Sequence, residues 1–444
     1  MPRPVVVLLS IPALRAQDLA GMPHLQQLVR HGDQSALVPS FPAVTCPVQA
    51  NMTTGRLPAQ HGVVANGFYW RSRHEVEMWT AGNDCILVPQ IWDVLHDRDP
   101  ALKSAAWFPL HSKSCGADLI CTPAPIHQPD GRELPWCHTK PERLYGTLRD
   151  RLGHFPLQHF WGPLADISSS AWIADSAIYA AHTYRPDFFY IYLPHLDYAA
   201  QKMGPDSVEA AAAVGQLDDV LGRLINGFDQ AYPATDLLWL VASEYAIVPV
   251  DHVLYPNRLL REAGLLQVRA EDDGEYLDLA ASKAWALVDH QHAHVFVQHG
   301  DAAVIGRVAS LFAGREGVAD VLVGDDLGRY ALKHERSGDV ILVSVPNSWQ
   351  AYYWWLDDHN APSFARTVDI HRKPGYDPVE LCFDPNTRGI PLSGACIRGS
   401  HGAPADDPTQ YGVLLSSRGG ITAGPGARRW ADWEVAGLVL RQFG

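Results

Sequence analysis

The chain has 444 residues, of which 47% are hydrophobic and 19% charged, with a formal net charge of −14. This composition builds a large core and excludes a disordered class. The negative balance argues against a surface that tracks a nucleic acid duplex or anionic lipid, so a phosphate-bearing ligand would need local cations or metal.

In chain order, Val5 to Ile11 is short, apolar and β-branched, which predicts a buried first strand rather than a signal peptide. Leu25 to His31 predicts the helix of a βα opening. No stretch is long enough to span a bilayer. The cysteine count of seven is odd, which suits a reduced, cytoplasmic setting with free thiols and an uncleaved N-terminus. Cys115 and Cys121 lack the second pair that a zinc clip needs.

Thr45 stands just before Cys46-Pro47 and reads as the N-cap of a short helix over Val48 to Thr54, ended by Gly55 and Pro58. A hydroxyl at a helix N-terminus faces unpaired N–H groups, where a phosphate or a metal-bound alkoxide is stabilised. Plain capping is the simpler reading of Thr45 taken alone. The run Phe41, Thr45-x-Pro47, Thr54-Gly55-x-x-Pro58, His61-Gly62 and Asn66 resembles the nucleophile segment of the nucleotide pyrophosphatase/phosphodiesterase branch of the alkaline phosphatase superfamily. The resemblance implies an α/β, three-layer sandwich with a mostly parallel central sheet and an inserted α+β cap. It also implies that Thr45 is nucleophile and metal ligand, and that Asn66 donates a hydrogen bond to a phosphoryl oxygen. In this family the first strand ends in an aspartate that binds one of two metals. Here the strand runs out as Ser10-Ile11-Pro12-Ala13, without an acid.

Ile91 to Arg98 predicts a helix, Ser104 to Trp107 a strand, and Cys115 to Pro141, rich in Pro, Cys and Gly, a loop at the site entrance. After a helix over Trp172 to Ala181, the strand Asp187 to Leu193 delivers Pro194-His195-Leu196-Asp197 to the carboxyl edge of the sheet, where open α/β sheets keep their sites. By resemblance Asp197 is the aspartate of the second metal, and Gln201 takes the position of its histidine partner. Taken by itself, Asp197 also suits capping of the helix that follows. His195 is a reserve ligand only. Ser207 to Asn226 is an amphipathic helix and Asp236 to Ser243 the next strand. The family then carries Asp-His-Gly, whereas this chain has Glu244-Tyr245-Ala246.

Leu259 to Leu266 and Ile305 to Ala313 read as helices, Ala319 to Val323 and Val340 to Val345 as strands. Trp285 to Val297 alternates like one strand, with His290, His292 and His294 on one face and Asp289, Gln291 and Ala293 on the other. Those histidines either converge on a metal or form the polar outer face of a cap strand; the second reading is preferred. The aromatic run Ser348 to Asp358 reads as core packing before pocket lining. Thr367 to Pro378 sets Asp369 and His371 on one face beside Arg372 and Lys373, positive charge able to hold an anion. Arg398-Gly399-Ser400-His401-Gly402 resembles the turn that supplies the last histidine of the second metal, with glycines for close backbone approach. Trp430 to Phe443 reads as a closing helix.

Together these imply a core of residues 1–249 and 391–444 with a cap at 250–390. The function implied is hydrolysis of phosphodiester, pyrophosphate or phosphonate bonds in a small phosphorus-containing substrate. The nucleophile would be Thr45, with Asn66, Arg372 and Lys373 binding substrate. The metal set would be Thr45, Asp197, Glu244 and His401, completed by Asp369 and His371, for one or two divalent ions, zinc first. Pro12, Gln201 and Tyr245 replace expected ligands, which leaves a non-catalytic metabolite- or metal-binding descendant as the alternative. No nucleic acid duplex and no membrane is expected as partner.

Overall fold

The computed structural model describes residues 4–127, 133–233, 236–423 and 428–444. Its first strand, β1 (Val5–Ser10), is buried at every position, as a parallel strand covered on both faces must be. It is followed by β2 (Asp33–Val38) and by α1 (Thr45–Thr54), a helix buried along all but its last residue and stopped by Gly55 at φ 68°. Next come β3 (Ser104–Trp107), β4 (Leu119–Pro123) and β5 (Cys137–Lys140). The chain continues through α2 (Ile167–Tyr184), β6 (Phe188–Tyr192), α3 (Leu196–Met203), α4 (Val208–Ala231) and β7 (Leu237–Ala242). Ser207 caps α4 by accepting from Ala210 N at 3.1 Å.

The middle of the chain supplies β8 (Ala284–Asp289), β9 (His292–Val297), β10 (Val318–Val323) and β11 (Val340–Ser344). The end adds β12 (Gly412–Ser416), β13 (Arg429–Ala431) and α5 (Val435–Leu440). Among the described residues nine strands form one sheet in the order β13-β2-β12-β7-β1-β6-β3-β4-β5. Its centre is parallel, with β1 between β6 and β7, and β12 and β5 run antiparallel. A separate antiparallel sheet, β8-β9-β11-β10, carries its own hydrophobic cluster, which also takes in Tyr69 and Met78.

Three expectations need correction here. The described part of Cys115 to Pro141 is not a loop: β4 and β5 extend the main sheet from β3, because Ile120 and Cys121 have backbone partners on both sides. Residues 128–132 of that stretch lie outside the described residues. Trp285 to Val297 is a hairpin rather than one strand, with the chain turning at His290 (φ 58°) and Gln291. Asp289 therefore pairs with His292 in register, on the same face, and His290, His292 and His294 are all buried rather than solvent-facing. Finally, Trp430 lies in β13, parallel to β2, and only Val435–Leu440 is α-helical. The aromatic run 348–358 does pack as core, with Trp349, Tyr352, Tyr353, Trp354 and Trp355 buried.

Candidate active site at the carboxyl edge of the sheet

The parallel strands end at one edge, and the side chains that follow them meet there. Thr45 is the first residue of α1; the cap is Val44, in extended backbone, with no side-chain cap bond. The expectation of Thr45 as N-cap is thus corrected, and its hydroxyl is free for another partner. Thr45 Oγ1 lies 3.0 Å from the Tyr245 hydroxyl. Tyr245 in turn donates to Asp197 Oδ2 at 3.0 Å. A phenol has one proton, and with that proton on Asp197 the Thr45 hydroxyl must donate to Tyr245. A directed chain of hydrogen bonds runs from Thr45 through Tyr245 to Asp197, and all three residues are buried.

Glu244, two residues beyond β7, accepts at Oε1 from Ser10 Oγ (2.6 Å) and Gln49 Nε2 (2.8 Å). His401 places Nδ1 2.8 Å from the Ala43 carbonyl. A carbonyl only accepts, so Nδ1 carries the proton and Nε2 is left as a lone pair. Asp197 Oδ1, Glu244 Oε2 and His401 Nε2 are buried without a hydrogen-bond partner. Burial pushes Asp197 up to about 7, against the pull of the Tyr245 hydroxyl. Burial likewise pushes Glu244 up to about 8, opposed by Ser10 and Gln49 and reinforced by the charge of Asp197. The close turn at His401 requires its glycine: a Cβ on Gly399 would sit 2.3 Å from the Ala200 carbonyl.

The β8–β9 hairpin reaches the same place. Asp289 at its tip accepts from Asn66 N (2.8 Å), Asn66 Nδ2 (3.0 Å) and His290 Nδ1 (2.7 Å). Asn66 Oδ1 accepts from Cys46 N at 2.9 Å, which ties the hairpin tip to the first turn of α1. Four rings lie in series: Tyr245 stacked on His401 (centroids 3.6 Å, 7° apart in plane), His401 tilted against His290 (3.9 Å, 44°) and His290 stacked on Tyr376 (3.7 Å). The far ring closes the series by donating from Tyr376 OH to Gln201 Oε1 at 2.8 Å.

The profile of the type I phosphodiesterase / nucleotide pyrophosphatase family matches residues 6–377 of this chain. The chain belongs to that family. Among curated proteins it is 25% identical over 263 residues to an uncharacterised pyrophosphatase/phosphodiesterase of Schizosaccharomyces pombe, a match over 57% of this chain and 46% of that protein. It thus spans about half the length of the curated relative. Phosphonoacetate hydrolase from Sinorhizobium meliloti 1021, solved with phosphonoformate, covers the whole chain and 96% of its own, with a TM-score of 0.63 at 17% identity. An inactive murine ectonucleotide pyrophosphatase / phosphodiesterase 5 in complex with AMP covers 99% of this chain and 95% of its own, with a TM-score of 0.62 at 14% identity. These structures share the alkaline-phosphatase-like α/β fold, and the family and its neighbours are hydrolases.

The phosphodiesterase-family resemblance implied a wider set of site residues than the hydrogen bonds and ring contacts of this cluster bring together. Thr45, Asn66, Asp197, Glu244 and His401 belong to the cluster just described. Asp369 pairs with Arg372 at 2.5 Å and receives no contact from that cluster, while His371 Nδ1 lies 3.3 Å from the Met78 carbonyl. Arg372 is spent on Asp369 at the surface. Lys373 is buried between Asp377 (2.9 Å) and Glu380 (2.6 Å), so its charge is neutralised away from Thr45. His195 bonds Gln216 through Nε2 at 2.9 Å. The site residues that sequence reasoning missed are Ser10, Gln49, Asp289, His290 and Tyr376. Only the Asp289-His290 pair gave a signal, as part of a polar alternation in an apolar segment.

A metal ion needs electron-pair donors gathered around one point at about 2.0–2.3 Å. Among the described residues no group of three or more His, Cys, Asp and Glu side chains has that arrangement. The three unpartnered lone pairs are of the right chemical kind, but the Tyr245 ring lies against His401 and its hydroxyl sits between Thr45 and Asp197. The residues present do not fit the two-metal set of the family. Beside Tyr245 and His401 the free volume is about 10 Å³, room for a single water. A larger cleft of about 650 Å³ opens at the far end of α1, near Arg56, Arg428, Trp433 and Arg441. Its lining includes none of Thr45, Asn66, Asp197, Glu244, Tyr245 and His401, so it is separate from the cluster described above.

Proposed function

We propose that this chain hydrolyses a phosphoester-type bond in a small phosphorus-containing substrate, with Thr45 Oγ1 as the atom that attacks phosphorus. The observation that carries this reading is the Thr45 hydroxyl itself: it sits in the first turn of α1 and its proton is directed along a hydrogen bond to Tyr245. A weak nucleophile becomes competent when a neighbour takes its proton and a third group orients that neighbour. Family membership supports the bond type, and the phosphonoformate and AMP bound by its structural relatives support a small phosphorus-containing ligand. The zinc expected from the resemblance is not carried into this reading, because the donors do not converge. Residues 250–390 act here as a cap that closes on the sheet edge, supported by their separate sheet and core. A reducing, cytoplasmic setting is supported by seven unbridged cysteines. Among the described residues no helix is long and apolar enough to cross a membrane.

The test is turnover of a bis-aryl phosphodiester by the purified protein and by Thr45→Ala. The wild type turns over and the variant does not; a variant that retains most of the rate refutes the reading. A second reading, a metabolite-binding descendant without turnover, is favoured by one observation. The Cys46 N–H and the Asn66 amide, the donors a phosphoryl group would need, are already bonded inside the protein. That reading expects AMP to raise the melting temperature of a protein that hydrolyses nothing.

A further inference from the structure

A metal that activates a hydroxyl does two things: it holds the oxygen in place and makes the loss of its proton affordable. In this chain both tasks have an occupant. The Tyr245 hydroxyl holds Thr45 Oγ1 at 3.0 Å, and its other bond, to Asp197 Oδ2 at 3.0 Å, leads to a carboxylate that can take a proton. The Tyr245 oxygen thus stands within hydrogen-bond distance of both Thr45 and Asp197. The phenol is not easily moved aside. Its ring is stacked on His401 at 3.6 Å, His401 lies tilted against His290 at 3.9 Å and His290 stacks on Tyr376 at 3.7 Å, so displacing Tyr245 disturbs a buried series anchored in both the core and the cap. Asp289 fixes His290 from behind at 2.7 Å.

We infer that Thr45, Tyr245 and Asp197 form a metal-independent catalytic relay, in which the Tyr245 hydroxyl positions the Thr45 oxygen and passes on its proton. The inference rests on the reading that Thr45 attacks phosphorus. As Thr45 Oγ1 bonds to phosphorus, its proton passes to the Tyr245 oxygen and the Tyr245 proton passes to Asp197. The bond from phosphorus to the leaving oxygen breaks, and an aryl oxide departs. Water then attacks the phospho-threonine; the Thr45–phosphorus bond breaks, and the proton held by Asp197 returns through Tyr245 to Thr45. One proton of that water stays on the product phosphate and the other matches the aryl oxide released in the first step, so the cycle closes on hydrolysis alone. Tyr245 is a catalytic residue in this scheme because it touches the reacting oxygen.

Two measurements on the chelator-treated, metal-analysed protein test this. In the first, bis-aryl phosphodiester turnover stays within twofold of the untreated protein, and Tyr245→Phe, which removes one oxygen and keeps the stacked ring, lowers kcat at least 100-fold with KM within threefold. In the second, an aryl phosphonofluoridate adds covalently to Thr45 in metal-free wild type, located by mass spectrometry, and fails to label Tyr245→Phe. Turnover or labelling that disappears on chelation and returns with zinc overturns the relay while leaving Thr45 as nucleophile. Full turnover by Tyr245→Phe overturns it as well. A wild type that neither turns over nor labels, with or without metal, overturns both the relay and the proposed function.

Discussion

Among the buried carboxylates of the described residues, two pairs are held in opposite ways. Asp377 and Glu380 flank the Lys373 ammonium at 2.9 and 2.6 Å, and Glu380 also accepts from the Asp369 N–H (2.8 Å) and from Trp161. Burial works against that ammonium, and the two acids outweigh it, so Lys373 titrates above its usual value. Among the described residues Asp197 and Glu244 have no cation partner; they accept from hydroxyls and an amide, and each keeps one oxygen unpartnered. A closed ion cluster is architecture, whereas buried acids left half-satisfied and shifted toward neutral pH mark a place where chemistry or a ligand completes the set. The comparison also shows where the charge of the basic residues of 367–378 is paired: Lys373 with Asp377 and Glu380, and Arg372 with Asp369.

The predictions sharpen this contrast. The largest effect is expected at the proposed nucleophile: if Thr45 attacks phosphorus, Thr45→Ala should lower turnover by at least about a thousandfold. Its stability should change by only about 1 kcal/mol, one hydrogen bond. Denaturant melts and turnover on the same sample check both. Next, Lys373→Met leaves Asp377 and Glu380 buried without their cation and should destabilise the fold by about 3–5 kcal/mol. A midpoint unchanged in urea would show that the cluster is not closed after all.

Asp197→Asn should be nearly neutral in stability at pH 7, because it removes an unpaired buried acid and keeps an oxygen for Tyr245, yet it should abolish turnover by leaving the proton no acceptor. The same variant bears on pH. Asp197 and Glu244 titrate at about 7 and about 8 in the folded chain, above their ordinary values of 3.8 and 4.5. The folded state therefore binds more protons than the unfolded state between about pH 4 and 8, and stability falls as pH rises through that window. Asp197→Asn should flatten the fall, read as melting temperature against pH. The smallest effect has the opposite sign. Burial holds His61 and His292 near 3 and His294 near 4, below the ordinary 6.5. These residues bind protons more readily when unfolded, so their contribution is lost as pH falls below about 6.5. His61→Gln should reduce that acid slope.

Much of the main sheet was legible because its strands are continuous apolar runs and its helices have clear periodicity. The helix Ile91–Arg98 and the strand Ser104–Trp107 match their expected bounds. Where legibility failed, the pattern was ambiguous in period. WALVDHQHAHVFV alternates whether it runs on or folds back, and only the pairing of Asp289 with His292 shows that it folds back. Cys115 to Pro141 looked irregular because short edge strands need little periodicity when the sheet supplies their hydrogen bonds.

By itself the sequence determined the family and the fold class, since these rest on local composition and on motifs contiguous in the chain. It also showed that Pro12, Gln201 and Tyr245 depart from a metal-binding set. How the side chains around those positions are joined was decided only by the tertiary structure. Thr45 and Asp197 are far apart in sequence, and the hydroxyl that joins them comes from a third segment. The rings that hold it in place come from two more, His401 and the cap hairpin. A hydrogen bond depends on position and direction in space, and no spacing along the chain encodes either when five segments must converge on one point.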